Sequence, residues 1–181
     1  NSGYAAKLKA AGTSGSEFAT EHDAVNKLSD AMFYFTKFTK DGKLATPLGL
    51  FANECGAEAC PQAVESTYSE HSLENIVNNL HALKMFMHGS QNVEEAAALG
   101  FTDYLIDVGD QITADSINED VESALASSQS YQESLAKTLA NDPDKVMQTH
   151  DEVKKVADTL KSDFINSLAL ELPKTAAGDN D

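Results

Sequence analysis

Apolar positions recur along this chain at intervals of three and four, the spacing of one face of an α-helix. No stretch alternates apolar and polar residues as a half-buried strand does. The clearest stripe is Leu73, Ile76, Val77, Leu80, Leu83 and Met87, within Tyr68–Gly89, YSEHSLENIVNNLHALKMFMHG. The spacing predicts a helix. Ser69 or Ser72 is expected to cap its start, because a hydroxyl accepts from an otherwise unpaired backbone N–H. Gly89 is expected to close it in a left-handed conformation. The opposite side carries Glu74, Asn78 and His81, but also Met85 and Phe86. A helix with apolar groups on both sides is expected to have a second packing partner.

Other stripes extend the pattern. Val25, Leu28, Met32, Phe35 and Phe38 predict a helix over 20–40, ended by Asp41-Gly42. Residues 44–65 read as irregular, with Pro47, Gly49 and Pro61. Residues 92–99 predict a short helix stopped by Gly100. Phe101, Leu105, Val108, Ile112, Val121, Leu125, Tyr131, Leu135 and Leu139 predict a long helical run over 102–140, kinked near Gly109 or between Thr113 and Asn118. Asp142-Pro143 starts the last helix, since proline is tolerated in the first turn. Its stripe is Val146, Val153, Val156, Leu160, Phe164 and Leu168. The fold class is therefore all-α, and four long helices fold most simply as an antiparallel four-helix bundle. Residues 19–173 form the bundle, 1–18 a flexible N-terminal segment or a remnant of cloning, and 174–181 an acidic C-terminal tail.

Charge narrows the function. The 181 residues carry a formal net charge of −16. Phosphates repel such a surface, which argues against nucleic acid or anionic lipid as partners. No run of about 18 apolar residues encodes a transmembrane helix. The first residue is Asn1 rather than Met, as in a processed or cut chain.

The only cysteines, Cys55 and Cys60, stand in CGAEAC inside the 44–65 loop. Two cysteines this close suit a small disulfide ring formed in an oxidising compartment. Such a ring pins a loop more than it stabilises a fold, at about 2 kcal/mol by loop entropy. Free thiols or metal ligands are the alternatives, although a zinc site needs three or four ligands.

His71 and Glu74 form the one His-x-x-Glu, and residues three apart on a helix face the same way. Both could reach one metal ion or one water. The simpler reading is a helix start, with Ser69, His71 and Ser72 as caps and Glu74 complementing the dipole. Glu74, His81 and His88 lie seven apart, roughly 10 Å of helix rise, too far to share one ion unaided. His22 and His150 stand beside acidic residues and suit local ion pairing. Met32, Met85, Met87 and Met147 read as core filling rather than soft-metal ligands. No Gly-x-Ser-x-Gly elbow and no phosphate-binding glycine loop occurs.

Three segments together carry a resemblance. The Ser-x-x-Ser-Leu start, Asn-Asn-Leu centre and closing Gly of the 68–89 helix resemble the imelysin-like family (peptidase M75) of bacterial cell-envelope proteins, in the second of its two helical halves. KLATPLG at Lys43–Gly49 is similar to the family's Lys-Leu…Pro-Leu turn. Leu170-Glu171-Leu172-Pro173 followed by Gly178-Asp179-Asn180-Asp181 is similar to its C-terminal ending. The similarity spans roughly Phe18 to Asp181. The family's Gly-x-His-x-x-Glu motif is not reproduced at His71, because Ser69 stands where the motif has Gly.

The resemblance implies one half of a two-bundle protein, exported to the bacterial envelope and either periplasmic or lipid-anchored. It implies a ligand-binding role linked to iron uptake or metal homeostasis, with iron or another divalent metal as cofactor. The candidate wall of the site is Ser69, His71, Ser72, Glu74 and Asn78, with His71 and Glu74 as metal donors. The expected partner is a missing N-terminal half, or a second copy met through the Met85/Phe86 face. The alternatives are a metallopeptidase of the imelysin type and a non-catalytic helical interaction module. No residue is assigned a catalytic role, and enzymatic activity is left open.

Overall fold

A computed structural model describes residues 3–91 and 98–174. The expected helix over 92–99 and the acidic tail over 174–181 lie almost wholly outside the described residues. Among the described residues the chain is all-helical; no strand forms, and one isolated antiparallel bridge joins Asn53 to Gly56. No helix of the described residues is long and apolar enough to cross a membrane.

Helix α1 spans Tyr4–Lys9. The chain turns at Gly12, and Phe18 is buried with Ala11 and Ala24. Helix α2, Glu21–Tyr34, starts with a reciprocal cap: Thr20 Oγ1 accepts from Asp23 N, and Asp23 Oδ2 accepts from Thr20 N. Asp41-Gly42 does not end the helical path. The chain widens instead into a π-helical segment, Phe35–Ala45, which runs on into α3, Thr46–Leu48, and stops at Gly49. The wide winding is visible in Thr46 N donating to Asp41 O, five residues back. The buried positions follow the same period: Phe35, Lys40 and Ala45 recur every five residues, as do Thr39 and Leu44. Burial of this face outweighs the breaker signal of Asp41-Gly42. At Gly49, φ is +82°, and a Cβ would lie 2.6 Å from the Glu58 carbonyl.

The following loop is closed by the Cys55–Cys60 disulfide, as the spacing of the two cysteines suggested. Cys60 N donates to Pro47 O at 2.7 Å, and Asn53 Nδ2 bridges the carbonyls of Thr46 and Glu58, so the loop is folded back on α3.

Helix α4 is Ser72–His88. Ile76, Leu80, Leu83 and Met87 are buried on the expected stripe, with Leu73 and Val77 partly buried beside it. Gly89 closes it at φ +73°; a Cβ there would meet Leu99 O at 2.2 Å. The start differs from expectation. His71, not a serine, occupies the cap position, and no side chain caps the helix. Ser72 is buried and its Oγ accepts from Ser66 N at 3.2 Å, while Ser69 stays exposed.

The 102–140 run divides into three. Helix α5, Phe101–Asp107, breaks at Gly109, as one of the two expected kinks; α6, Gln111–Gln129, is then continuous through Thr113–Asn118. An unexpected second break at 130–134 precedes α7, Leu135–Asn141. Ser130 causes it locally: its N and Oγ both donate to Ser127 O, and its own carbonyl accepts from Lys145 Nζ. Helix α8, Pro143–Thr159, begins where Asp142 Oδ1 accepts from Lys145 N, and continues through a wide turn, Leu160–Phe164, into α9, Ile165–Ser167.

Helix α6 packs against both α4 and α8, and α8 also packs against Phe35–Ala45. One apolar core joins them, with Leu80, Leu105, Ile117, Leu139, Val153 and Phe164 wholly buried. The terminal residues 168–172 fold back on α2, where His22 Nε2 pairs with Ala169 O and Asn26 Oδ1 accepts from Glu171 N.

Candidate functional site at the start of α4

The five residues singled out from the sequence do not converge on one point. His71 Nδ1 pairs with Glu74 Oε2 across one helical turn, and both side chains are about two-thirds exposed, at 62% and 66%. Glu74 and Asn78 line a groove of about 540 Å³ with Leu73, Val77, Ser128, Gln129 and Tyr131. A second hollow of about 380 Å³ shares Leu73, Glu74 and Tyr131, and is completed by Glu70, Gln132, Glu133, Ser134 and Lys137. Ser72 turns inward to Ser66, and Ser69 lines neither hollow. His81 lies two turns further on, in a separate hollow with Lys84 and Met85.

The helix start is held by a network that contains none of the five except Ser72. Lys43, nearly buried, donates from Nζ to Asn79 Oδ1 at 2.8 Å and lies 3.2 Å from Glu65 Oε2. Asn75 Nδ2 donates to the same Glu65 oxygen at 2.9 Å and to Ser66 Oγ at 3.2 Å. The segment before α4 is thereby tied both to α4 and to the wide segment. Lys43 opens the KLATPLG motif and Asn79 belongs to the Asn-Asn-Leu centre of α4, whereas Glu65 and Asn75 carry no local sequence signal. Glu70 adopts φ +59°, a left-handed conformation uncommon for a residue other than glycine, asparagine or aspartate, and is paired with Lys137 near the start of α7.

The opposite wall belongs to the unforeseen break. Tyr131 Oη pairs with Thr149 Oγ1 at 2.8 Å and donates to Lys145 O at 3.3 Å. Burial pushes its pKa above the ordinary phenol value, with the Thr149 bond opposing. Lys145 Nζ stands 4.7 Å from the Tyr131 ring centroid. Ser128 is 2% exposed, and its hydroxyl has no hydrogen-bond partner among the described residues.

The metal expectation meets a donor shortage. His71 and Glu74 supply two donors, whereas a closed structural zinc site takes four and hard cations take six or more oxygens. Among the described residues no group of three or more His, Cys, Asp or Glu is placed to hold an ion. This chain's own residues therefore do not fit a resident metal; they offer part of a set.

Met85 is 38% exposed and Phe86 partly buried; they line an apolar hollow of about 490 Å³ with Val25, Leu28, Phe101 and Tyr104. Met32, Met87 and Met147 belong to the core or pack on it. His150 is buried on α8, its Nδ1 3.3 Å from Asp151 Oδ1. Burial pushes its pKa below the ordinary histidine value, the Asp151 carboxylate opposes this, and the Lys40 and Lys154 cations add to it.

Comparison with curated proteins and with solved structures found no match. The imelysin (peptidase M75) family model matches residues 1–162. The match includes the first 18 residues and ends before the 170–181 tail. Covering most of the chain, it establishes what the helix signature at 68–89 and the KLATPLG turn suggested: this chain belongs to the imelysin family.

Proposed function

We propose that this chain is an imelysin-type cell-envelope protein that binds a cationic ligand at the start of α4, in a role linked to iron uptake or metal homeostasis. The carrying observation is the His71–Glu74 pair at the rim of the groove lined by Glu74 and Asn78. A carboxylate with an imidazole one turn away is a donor pair for a divalent cation. Because the pair is incomplete, the chain supplies one side of the site, and water or another surface supplies the rest. Family membership supports export to the envelope, in a periplasmic or lipid-anchored form. The net charge of −16 favours approach of cations over anions.

A metallopeptidase needs a bound metal with an open position and a general base. Two exposed donors, one of which would also have to act as base, do not provide both. The binding reading is therefore preferred.

The test is thermal unfolding of the full chain with and without ferrous or zinc ion. A ligand that binds only the native state raises the midpoint with its concentration. The rise should be lost in Glu74→Gln and in His71→Gln. An equal rise in both variants would refute the site, and peptide cleavage abolished by a chelator would favour the peptidase.

A further inference from the structure

We propose that Met85 is a site of oxidation to methionine sulfoxide by hydrogen peroxide, and that the product makes the rim of the apolar hollow between α2, α4 and α5 polar. The proposal is independent of the cation reading at the start of α4. Met85 lies eleven residues beyond Glu74, about 16 Å along the helix.

Peroxide selects side chains by softness and by access. The chain has no tryptophan, and its two cysteines are bonded to each other, so no thiol competes. Of the four methionines, Met32 is 2% exposed, Met87 is 0% exposed, and Met147 packs partly buried on the core. Met85 is 38% exposed and reaches two surface hollows, the apolar one and a polar one of about 410 Å³ that holds His81 and Lys84. A lone pair of its thioether sulfur attacks one peroxide oxygen. An S–O bond forms as the O–O bond breaks, and the sulfur gives up two electrons. The departing oxygen takes the proton of the transferred one and leaves as water.

The surroundings decide where the new oxygen goes. The side chains of Val25, Leu28, Phe86 and Phe101 offer it no donor, and a strong acceptor left unpaired among them is penalised. The other side offers donors. His81 stands one turn before Met85, and residues four apart on a helix are neighbours. Lys84 is paired with Glu122, but an ammonium group has three N–H donors and one carboxylate oxygen takes only one of them. The sulfoxide oxygen therefore turns toward His81 and Lys84, and the end of the side chain leaves the apolar hollow. Leu83 and Met87, buried on the core face, keep α4 in place while this happens.

The test exposes the full folded chain to hydrogen peroxide in buffer containing a chelator, so that peroxide reacts directly and not through a bound metal. Peptide mass mapping should find the first added oxygen on Met85. The reaction there should be at least about tenfold faster than at Met32 and Met87, which react only as the fold opens. Met147 should lag behind Met85. The singly oxidised protein should keep its helicity, with amide shifts changed over 81–89, 25–28 and 101–104. Met85→Gln, which carries a polar acceptor of similar size, should reproduce those shifts without peroxide. Met85→Leu should show no early oxidation. First oxidation at Met147, or equal rates at all four methionines, would overturn the site. Shifts that stay at Met85 alone, or that Met85→Gln does not reproduce, would overturn the change in the hollow. Loss of helicity on the first oxidation would do the same, since Met85 would then belong to the core.

Discussion

Lys43 Nζ donates to Asn79 Oδ1 at 2.8 Å, joining the wide segment Phe35–Ala45 to the middle of α4. The lysine is nearly buried, and its second contact, Glu65, is what holds Asn75 and the segment leading into α4. Lys43→Met would keep the stem's packing but strip Asn79 and Glu65 of a charged donor. Hydrogen bonds to charged groups contribute about 1.5–3 kcal/mol. A loss of roughly that size is expected in denaturant unfolding, with faster amide exchange over 64–75. An unchanged midpoint would mean that the network is ornamental.

Glu74 is exposed and its partner His71 equally so, so their pair contributes little to folding. Glu74→Ala is expected to change stability by less than about 0.5 kcal/mol. Equilibrium unfolding measures this directly. A loss above roughly 2 kcal/mol would identify Glu74 as a structural carboxylate instead.

His150 predicts a pH dependence of stability. Its folded pKa is held down, chiefly by burial, whereas in the unfolded chain it titrates near 6.5. Below that value the unfolded state takes up a proton that the folded state resists. The stability contributed by neutral His150 is therefore complete above about pH 6.5 and is lost as pH falls through the folded pKa. Urea midpoints of the wild type should fall more steeply between pH 7.5 and 5 than those of His150→Gln. Parallel slopes would show that His150 charges freely in the fold.

The disulfide closes a short ring over α3. Replacing Cys55 and Cys60 by serine is expected to cost about 2 kcal/mol while leaving helicity intact. Exchange should accelerate over 49–63, where Cys60 N meets Pro47 O. A loss of helical signal would show that the loop supports more of the core than its contacts indicate.

The sequence showed the body and the end of α4, though not its start, because the burial stripe and the left-handed turn of the closing glycine are local features. Gly89 fits only glycine, and that requirement is legible as a stop signal. The path through Asp41-Gly42 was not legible. What carries the chain past that pair is the burial of Lys40, Leu44 and Ala45 against other helices, which local propensity does not record. The break at 130–134 lacks glycine and proline altogether. It arises from Ser130 bonding back to Ser127 and from Tyr131 turning in toward Thr149. Half of the groove was hidden for that reason: Glu74 and Asn78 could be named from α4, but Ser128, Gln129 and Tyr131 required the bend.

The most direct test of cation binding at the α4 start is paramagnetic broadening of the amide spectrum by manganous ion. The account predicts saturable broadening centred on 71–78, lost in Glu74→Gln. Broadening spread over the acidic face of α6 at Asp115, Glu119 and Glu122, unchanged by that substitution, would contradict it.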